Sequence, residues 1–384
     1  MTHEPFHLER YFAATEFSTP HLLAVSDCES RTVGALLDLE VDADARFRAL
    51  RLGYTESEGG LELRTAVART YEGLTADDIL VHATPVEAVY TTMRALVEPG
   101  DRVVVQMPAY QALRSAAAFA GAEVVPWWGD PELGWTPDLE ALDALLSPPR
   151  TRLLVVNTPH NPTGWAADEA VLVDILSRAR RAGVRVFCDE AYRGTEPGGR
   201  SAPSAVERSE TAVALGLVSK GMGLPGLRTG WLVSRDASVL RRIGAYKDFT
   251  SICGPAPSEF LAAVALRHRD RLLSETRALL ERNLAQLGSF MARHVTHFAW
   301  MAPAAGPVTF PRLRDPERWG GVDAFCRRVR DEAGVLLAPG GLFGGLPATP
   351  DVDRAVADSF RIGFGRSSFP EALGVFEDWL TAHS

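Results

Sequence analysis

Residues 152–164 read Arg-Leu-Leu-Val-Val-Asn-Thr-Pro-His-Asn-Pro-Thr-Gly. The stretch Leu153-Leu154-Val155-Val156 is apolar at every position and does not alternate, so a strand here buries both faces, as strands do in a parallel sheet covered by helices on each side. The run then stops in amides, prolines and a glycine, the composition of a rigid loop that presents Asn157 and Asn161. Ligands of open parallel sheets collect outside the carboxyl ends of the strands, so the residues that other strands deliver there decide the chemistry.

Working outward, residues 184–188 form a second strand-like run that ends in Asp189-Glu190-Ala191-Tyr192, and residues 211–217 a third that ends in Ser219-Lys220. Residues 79–81, 102–106 and 123–126 add further strands, and residues 61–71, 86–97, 110–120 and 167–182 carry helical spacing between them. The alternation predicts an α/β large domain with three layers and a mostly parallel sheet. A long helical stretch over 257–290, interrupted in pattern near Arg269, leads away from it. Strands at 308–310, 335–337 and 360–363 with helices at 322–332 and 370–383 predict a smaller α+β domain. The expected division is an arm of residues 1–45 lying on the small domain or on a partner subunit, a large domain over 46–285 and a small domain over 286–384.

The 384 residues are 46% hydrophobic and 23% charged with a formal net charge of -9, which suits a soluble protein of enzyme size and offers no basic surface for nucleic acid. Cys28, Cys188, Cys253 and Cys326 are scattered without close pairs or histidine companions. That excludes a zinc knuckle or a disulfide framework and fits a reducing cytoplasm. The polar start over residues 1–10 is not a signal peptide, and no apolar run reaches membrane-spanning length.

Three strand ends therefore offer an amide, a carboxylate with a phenol, and an amine. Pyridoxal phosphate needs such a set: a lysine for its aldehyde, a carboxylate opposite the pyridine nitrogen, donors at the ring oxygen and a cradle for the phosphate. Lys220, in the glycine-rich bend Ser219-Lys220-Gly221-Met222-Gly223, would form the imine and then move the substrate α-proton. Asp189 would pair with the ring nitrogen, Asn161 and Tyr192 would donate toward the ring oxygen, Arg228 would face the phosphate and Tyr110 would stack on the ring. Each has an ordinary alternative: Asp189 as a helix cap, Asn161 as a turn residue, Tyr110 as core packing, Arg228 in a surface ion pair. Their joint occurrence in strand order carries the reading.

With those motifs in view, the sequence resembles the class I/II aminotransferase superfamily, the aspartate-aminotransferase-like enzymes of fold type I, from about residue 54 to 364. Asn161-Pro162-Thr163-Gly164, Asp189-Glu190-Ala191-Tyr192 and Ser219-Lys220 through Arg228-Thr229-Gly230-Trp231 match in order and spacing. The resemblance implies that Arg361 clamps the substrate α-carboxylate with Asn161 beside it, and that Tyr54 crosses a homodimer interface to the neighbouring active site. It also implies that Thr84-Pro85-Val86 stands where backbone N–H groups hold the phosphate. Here Pro85 has no N–H, and Leu217 replaces a hydroxyl residue common in the family, so either Thr84, Ser219, Arg228 and Tyr54 compensate or the cofactor is held less tightly. In the place of the usual substrate loop stands Ser26-Asp27-Cys28-Glu29-Ser30, which puts Ser26, Cys28 and Glu29 near the substrate. Together with Glu9-Arg10-Tyr11-Phe12, residues 224–228 and Ala338-Pro339-Gly340, this resembles the branch containing capreomycidine synthase. Asp27 or Glu29 would face a basic substrate arm or merely cap a helix.

The function these residues imply is α-proton removal from an L-amino acid, most simply for transamination. The alternative is cyclisation, or elimination and replacement at the side chain, in specialised metabolism. A regulatory, non-catalytic protein of the same fold is disfavoured because Lys220 and Asp189 are both kept.

Overall fold

A computed structural model describes residues 4–201 and 203–383. Its centre is a sheet of β1 (Ile79–His82), β2 (Arg102–Met107), β3 (Glu123–Asp130), β4 (Thr136–Pro137), β5 (Thr151–Asn157), β6 (Arg185–Asp189), β7 (Val213–Leu217) and β8 (Gly230–Val233), in spatial order β1-β8-β7-β6-β5-β2-β3-β4. The pairs β3–β2, β2–β5, β5–β6 and β6–β7 are parallel, while β8 and β4 run antiparallel to their neighbours. Consecutive side chains on these strands enter opposite cores. Leu154, Val156, Val186 and Cys188 join one cluster, and Leu153, Val155 and Phe187 join the other. This two-sided burial is why the strands are apolar throughout.

Helices Leu61–Ala68, Leu139–Leu146, Glu169–Arg181 and Ala256–Arg267 cover the first face; Pro85–Leu96, Gln111–Phe119 and Ala237–Lys247 cover the second. Their starts are written locally. Asp168 and Asp236 accept hydrogen bonds from first-turn N–H groups, and Thr84 caps the helix that Pro85 opens. The long helical stretch is two helices meeting at His268, Ala256–Arg267 and Arg269–Arg293. The second adds Leu272 and Leu273 to the sheet core and Leu280, Leu287 and Phe290 to a separate aromatic core with Phe298, Phe325, Phe360 and Phe376.

Residues 4–45 are shared between the two cores. Leu36 packs under the sheet, whereas His21–Leu22 pairs in parallel with Val335–Leu336 and Leu23 accepts a hydrogen bond from Gly363 N–H. A Cβ at Gly363 would lie 1.6 Å from Val25 O, so only glycine lets this segment cross so closely. Strand β8 and the helices His7–Thr15, Leu139–Leu146 and Ala237–Lys247 are elements that periodicity did not reveal. Among the described residues no helix is long and apolar enough to cross a membrane.

Candidate active site

The register of the sheet sets Asn157 opposite Asp189, and Asp189 opposite Leu215. Just past these strand ends lies a cavity of about 380 Å³ lined by Asn161, Asp189, Tyr192, Ser219, Lys220, Arg228 and Arg361. Ser26, Pro85, Val86 and Tyr110 also line it. Four of the sequence-derived candidates lie elsewhere. Cys28 is fully buried in the aromatic core, past a bend at Asp27 that turns the chain away from the cavity. The Glu29 carboxylate accepts the Ser367 N–H outside the cavity. Thr84 spends its hydroxyl on capping, accepting the Glu87 N–H at 3.2 Å. Tyr54 is 94% exposed and does not reach its own chain's cavity.

Lys220 Nζ donates to Ser26 Oγ at 2.9 Å. Burial lowers its pKa, opposed by the charge of Asp27, so the neutral amine is more accessible than in water. Asp189 accepts the Ala191 N–H at 3.1 Å, and burial pushes its pKa up to about 6 against that hydrogen bond and the charge of Lys220. A buried carboxyl of this kind is stabilised as the anion by a cation placed against it. Asn157 locks the loop: its Nδ2 donates to Pro159 O and Asp189 O, and its Oδ1 accepts the Asn161 N–H at 2.8 Å. Tyr192 is buried and donates to Ser26 O at 3.1 Å.

Arg361 is 1% exposed. Its Nε and Nη2 donate to Ala24 O at 3.0 and 2.7 Å, and Nη1 donates to Asn161 Oδ1 at 3.0 Å. The guanidinium also stacks against Phe12 and Phe343, which fixes its plane. The remaining N–H groups of the fork are left for a planar anion in the cavity.

At the other end, Ser219 Oγ is buried without any hydrogen-bond partner, and Arg228, held in left-handed backbone, donates to Pro225 O. An orphaned hydroxyl beside an arginine and a helix start is a fitting cradle for a phosphate. Leu217, Pro85, Val86 and Pro225 make the rest of that end apolar. The donor set as a whole, an amine, a buried carboxyl, amides and this anion cradle, fits pyridoxal phosphate.

Glu9, Phe12 and Glu16 were not expected to line the site but do, Asn157 of the strand-end loop joins Asn161 there, and Asp27 enters beside Ser26. Glu9 accepts the Tyr110 hydroxyl at 3.2 Å. Burial raises the pKa of Glu16, and Arg366 binds Asp27 through two nitrogens at 3.1 and 2.8 Å. Glu9, Phe12 and Glu16 recur at helical spacing, a signal that was present but had no partner in the local sequence.

Residues 23–368 match the family model for aminotransferases of class I and II. Capreomycidine synthase of Streptomyces vinaceus is 32% identical over 98% of this chain and 92% of its own. A PLP-dependent aminotransferase from Streptococcus suis superposes with a TM-score of 0.90 at 28% identity, over 100% of this chain and 99% of that one. The PLP-dependent cyclase OrfR gives 0.88 at 28% identity with the same coverage. The chain is therefore a member of the class I and II aminotransferase family, a pyridoxal-phosphate-dependent enzyme of fold type I.

Proposed function

We propose that the protein is an aminotransferase that binds an L-α-amino acid by its carboxylate at Arg361 and moves the α-proton with Lys220. The observation that carries this is the meeting of Lys220, Asp189 and Arg361 on one cavity, with Asn161 hydrogen-bonded to Arg361. Pyridoxal phosphate, when bound, supplies an electrophilic aldehyde and an electron-withdrawing ring. Lys220 would hold it covalently, Asp189 would keep its ring nitrogen protonated, Tyr192 and Asn161 would face its ring oxygen, Tyr110 its ring face, and Ser219 and Arg228 its phosphate. Arg361 orients the substrate so that its α-hydrogen faces Lys220, whose burial makes the amine easier to deprotonate.

Glu9, Glu16 and Asp27 line the same cavity, which favours a substrate whose side chain is cationic. That acidic wall also supports a second reading, cyclisation or replacement at the substrate side chain. Lys220, Asp189 and Arg361 serve it as well, and capreomycidine synthase is among the relatives matched over nearly their whole length. The test is incubation of the holoenzyme with basic, acidic and neutral amino acids, followed by absorbance and product mass. Conversion of the cofactor to its amino form with a keto acid supports transfer. A product that keeps its nitrogen but has an altered side chain supports the second reading, and absence of turnover with all three classes overturns both.

We also infer a homodimer. Leu52, Tyr54 and Phe249 are exposed at 83%, 94% and 91%, and their two loops are hydrogen-bonded together through Thr55 and Ser57. A second copy covering them would bring Tyr54 to the neighbouring phosphate cradle. The cytoplasm is the compartment that suits the four free cysteines.

A further inference from the structure

Lys247 ends the helix Ala237–Lys247, yet its side chain is among the largest that are fully buried, at 1% exposure. Its acceptors are two backbone carbonyls and not a carboxylate: Ser57 O at 2.6 Å and Ile252 O at 2.7 Å. Burying an ammonium is costly, so the carbonyls it gathers must be held where they would not otherwise stay. Ile252 has φ 65°, a left-handed backbone that a β-branched residue adopts only when its surroundings impose it. The loop over residues 54–60 is stitched to the loop over 248–254 at further points. Thr55 Oγ1 donates to Gly254 O at 2.9 Å, and Ser57 Oγ to Ile252 O at 2.9 Å and Asp248 Oδ1 at 3.1 Å. From this stitched edge Tyr54 projects outward, away from its own cavity.

A lysine that only closed its own helix would bind that helix's last carbonyls. Lys247 reaches across 190 residues of sequence to the loop that carries Tyr54. We propose that Lys247 is a positioning residue that acts in trans: its buried ammonium fixes the loop over 54–57 so that Tyr54 is presented to the phosphate cradle of the neighbouring subunit. This rests on the homodimer reading. It predicts that loss of Lys247 damages the partner's cofactor site and spares the site in its own chain.

The experiment uses tagged hybrid dimers in which one subunit is K220A, so that visible absorbance of cofactor bound to Lys220 reports only the other subunit's site. Pyridoxal phosphate is titrated into two hybrids. With K247M on the K220A subunit, affinity at the reporting site should fall about tenfold or more, the loss of one hydrogen bond to a charged group. With K247M on the reporting subunit, affinity should stay at the wild-type value. Affinity that follows the lysine of the reporting chain overturns the proposal. If K247M does not fold, the T55V/S57A double variant, which leaves Lys247 in place and cuts the side-chain hydrogen bonds between the same two loops, is placed in the same two arrangements, and an affinity loss that follows the reporting chain overturns the presentation of the loop in trans. A parallel pair of hybrids carrying Y54F separates the underlying reading: if Y54F also acts only within its own chain, or if the wild type sediments as a monomer, the homodimer reading fails. If Y54F acts in trans and K247M does not, the role of Lys247 alone fails.

Discussion

Ser219 offers a substitution whose two effects have opposite signs. Its hydroxyl is 4% exposed as a residue and lacks any partner, so the cofactor-free protein carries a buried polar group at its desolvation cost, roughly 1 to 3 kcal/mol. S219A removes that group, and the apo protein should be unchanged or more stable by about 1 kcal/mol in denaturant unfolding. The same change removes a donor to the cofactor phosphate. A hydrogen bond to a charged group contributes about 1.5 to 3 kcal/mol, so the dissociation constant for pyridoxal phosphate should rise about 10- to 150-fold. Neither Pro85, which opens its helix without an N–H, nor Leu217 can compensate. L217T should act in the reverse sense, tightening the cofactor and lowering apo stability, since it adds an unpaired hydroxyl to the same wall. The assays are urea unfolding of the apo protein and absorbance titration with the cofactor. An S219A protein that is less stable when apo, or one whose cofactor affinity stays within about twofold of wild type, would show that this hydroxyl does not serve the phosphate.

R361A should lower kcat/KM about 100-fold or more for amino acids, the loss of a bidentate carboxylate contact, while an amine without the carboxylate reacts at the wild-type rate; equal losses for both would refute the clamp. The pH dependence of apo stability has a definite sign. The folded-state pKa of Asp189 is raised from 3.8 to about 6, so the folded chain binds more protons than the unfolded one in that window. Stability from this group is present below about pH 4 and is lost as pH rises through about 6, a span of 6 less 3.8, or about 3 kcal/mol. D189N should remove that portion of the slope in unfolding midpoints measured from pH 4 to 7. Glu190, raised to about 7 by burial, should leave a residual slope of the same sign, and a D189N slope identical to wild type would refute the assignment.

The sheet was legible because burial on both faces leaves no other reading for Leu153 to Val156, and the meeting of Asn161, Asp189 and Lys220 on one cavity was legible because strand ends are where a parallel sheet places its ligands. Strand β8 was hidden because its four buried residues follow a glycine-rich loop and are too few to show a period. The helix His7–Thr15 was hidden for a different reason. Its inward residues, Leu8 and Phe12, pack on elements more than 300 positions away, around Leu336 and Phe343, and no local signal reports that. Of the segment over 26–29, Ser26 meets Lys220 and Asp27 lines the cavity, while Cys28 enters the core and Glu29 accepts the Ser367 N–H; the chain bends at Asp27, and no local sequence period reports where each side chain goes. For Thr84 the competition was chemical, since one hydroxyl cannot serve both a helix cap and a phosphate with equal geometry, and the cap holds it.

The cavity thus has two walls of different construction. Asn157, Asp189 and the lysine loop stand at the ends of adjacent strands in a sheet buried on both faces, where a shift of any one side chain must move its neighbours. Glu9, Glu16, Ser26 and Asp27 come instead from a single peptide that threads between Val335–Leu336 and Gly363. Gly365 repeats the close approach, with a Cβ there falling 2.3 Å from Asp27 O, so the thread's path is fixed by two glycines while its side chains are free to vary. Proton transfer at the α-carbon requires only the rigid wall and Arg361. The course of the reaction after that transfer depends on where the substrate side chain is held, and on the proposed reading the threaded wall holds it. The same catalytic residues can therefore serve transfer or side-chain replacement, and exchanging the cavity-lining residues of 9–27 should change the ratio of keto acid to nitrogen-retaining product without abolishing α-proton exchange, whereas an unchanged ratio would refute a role for this wall.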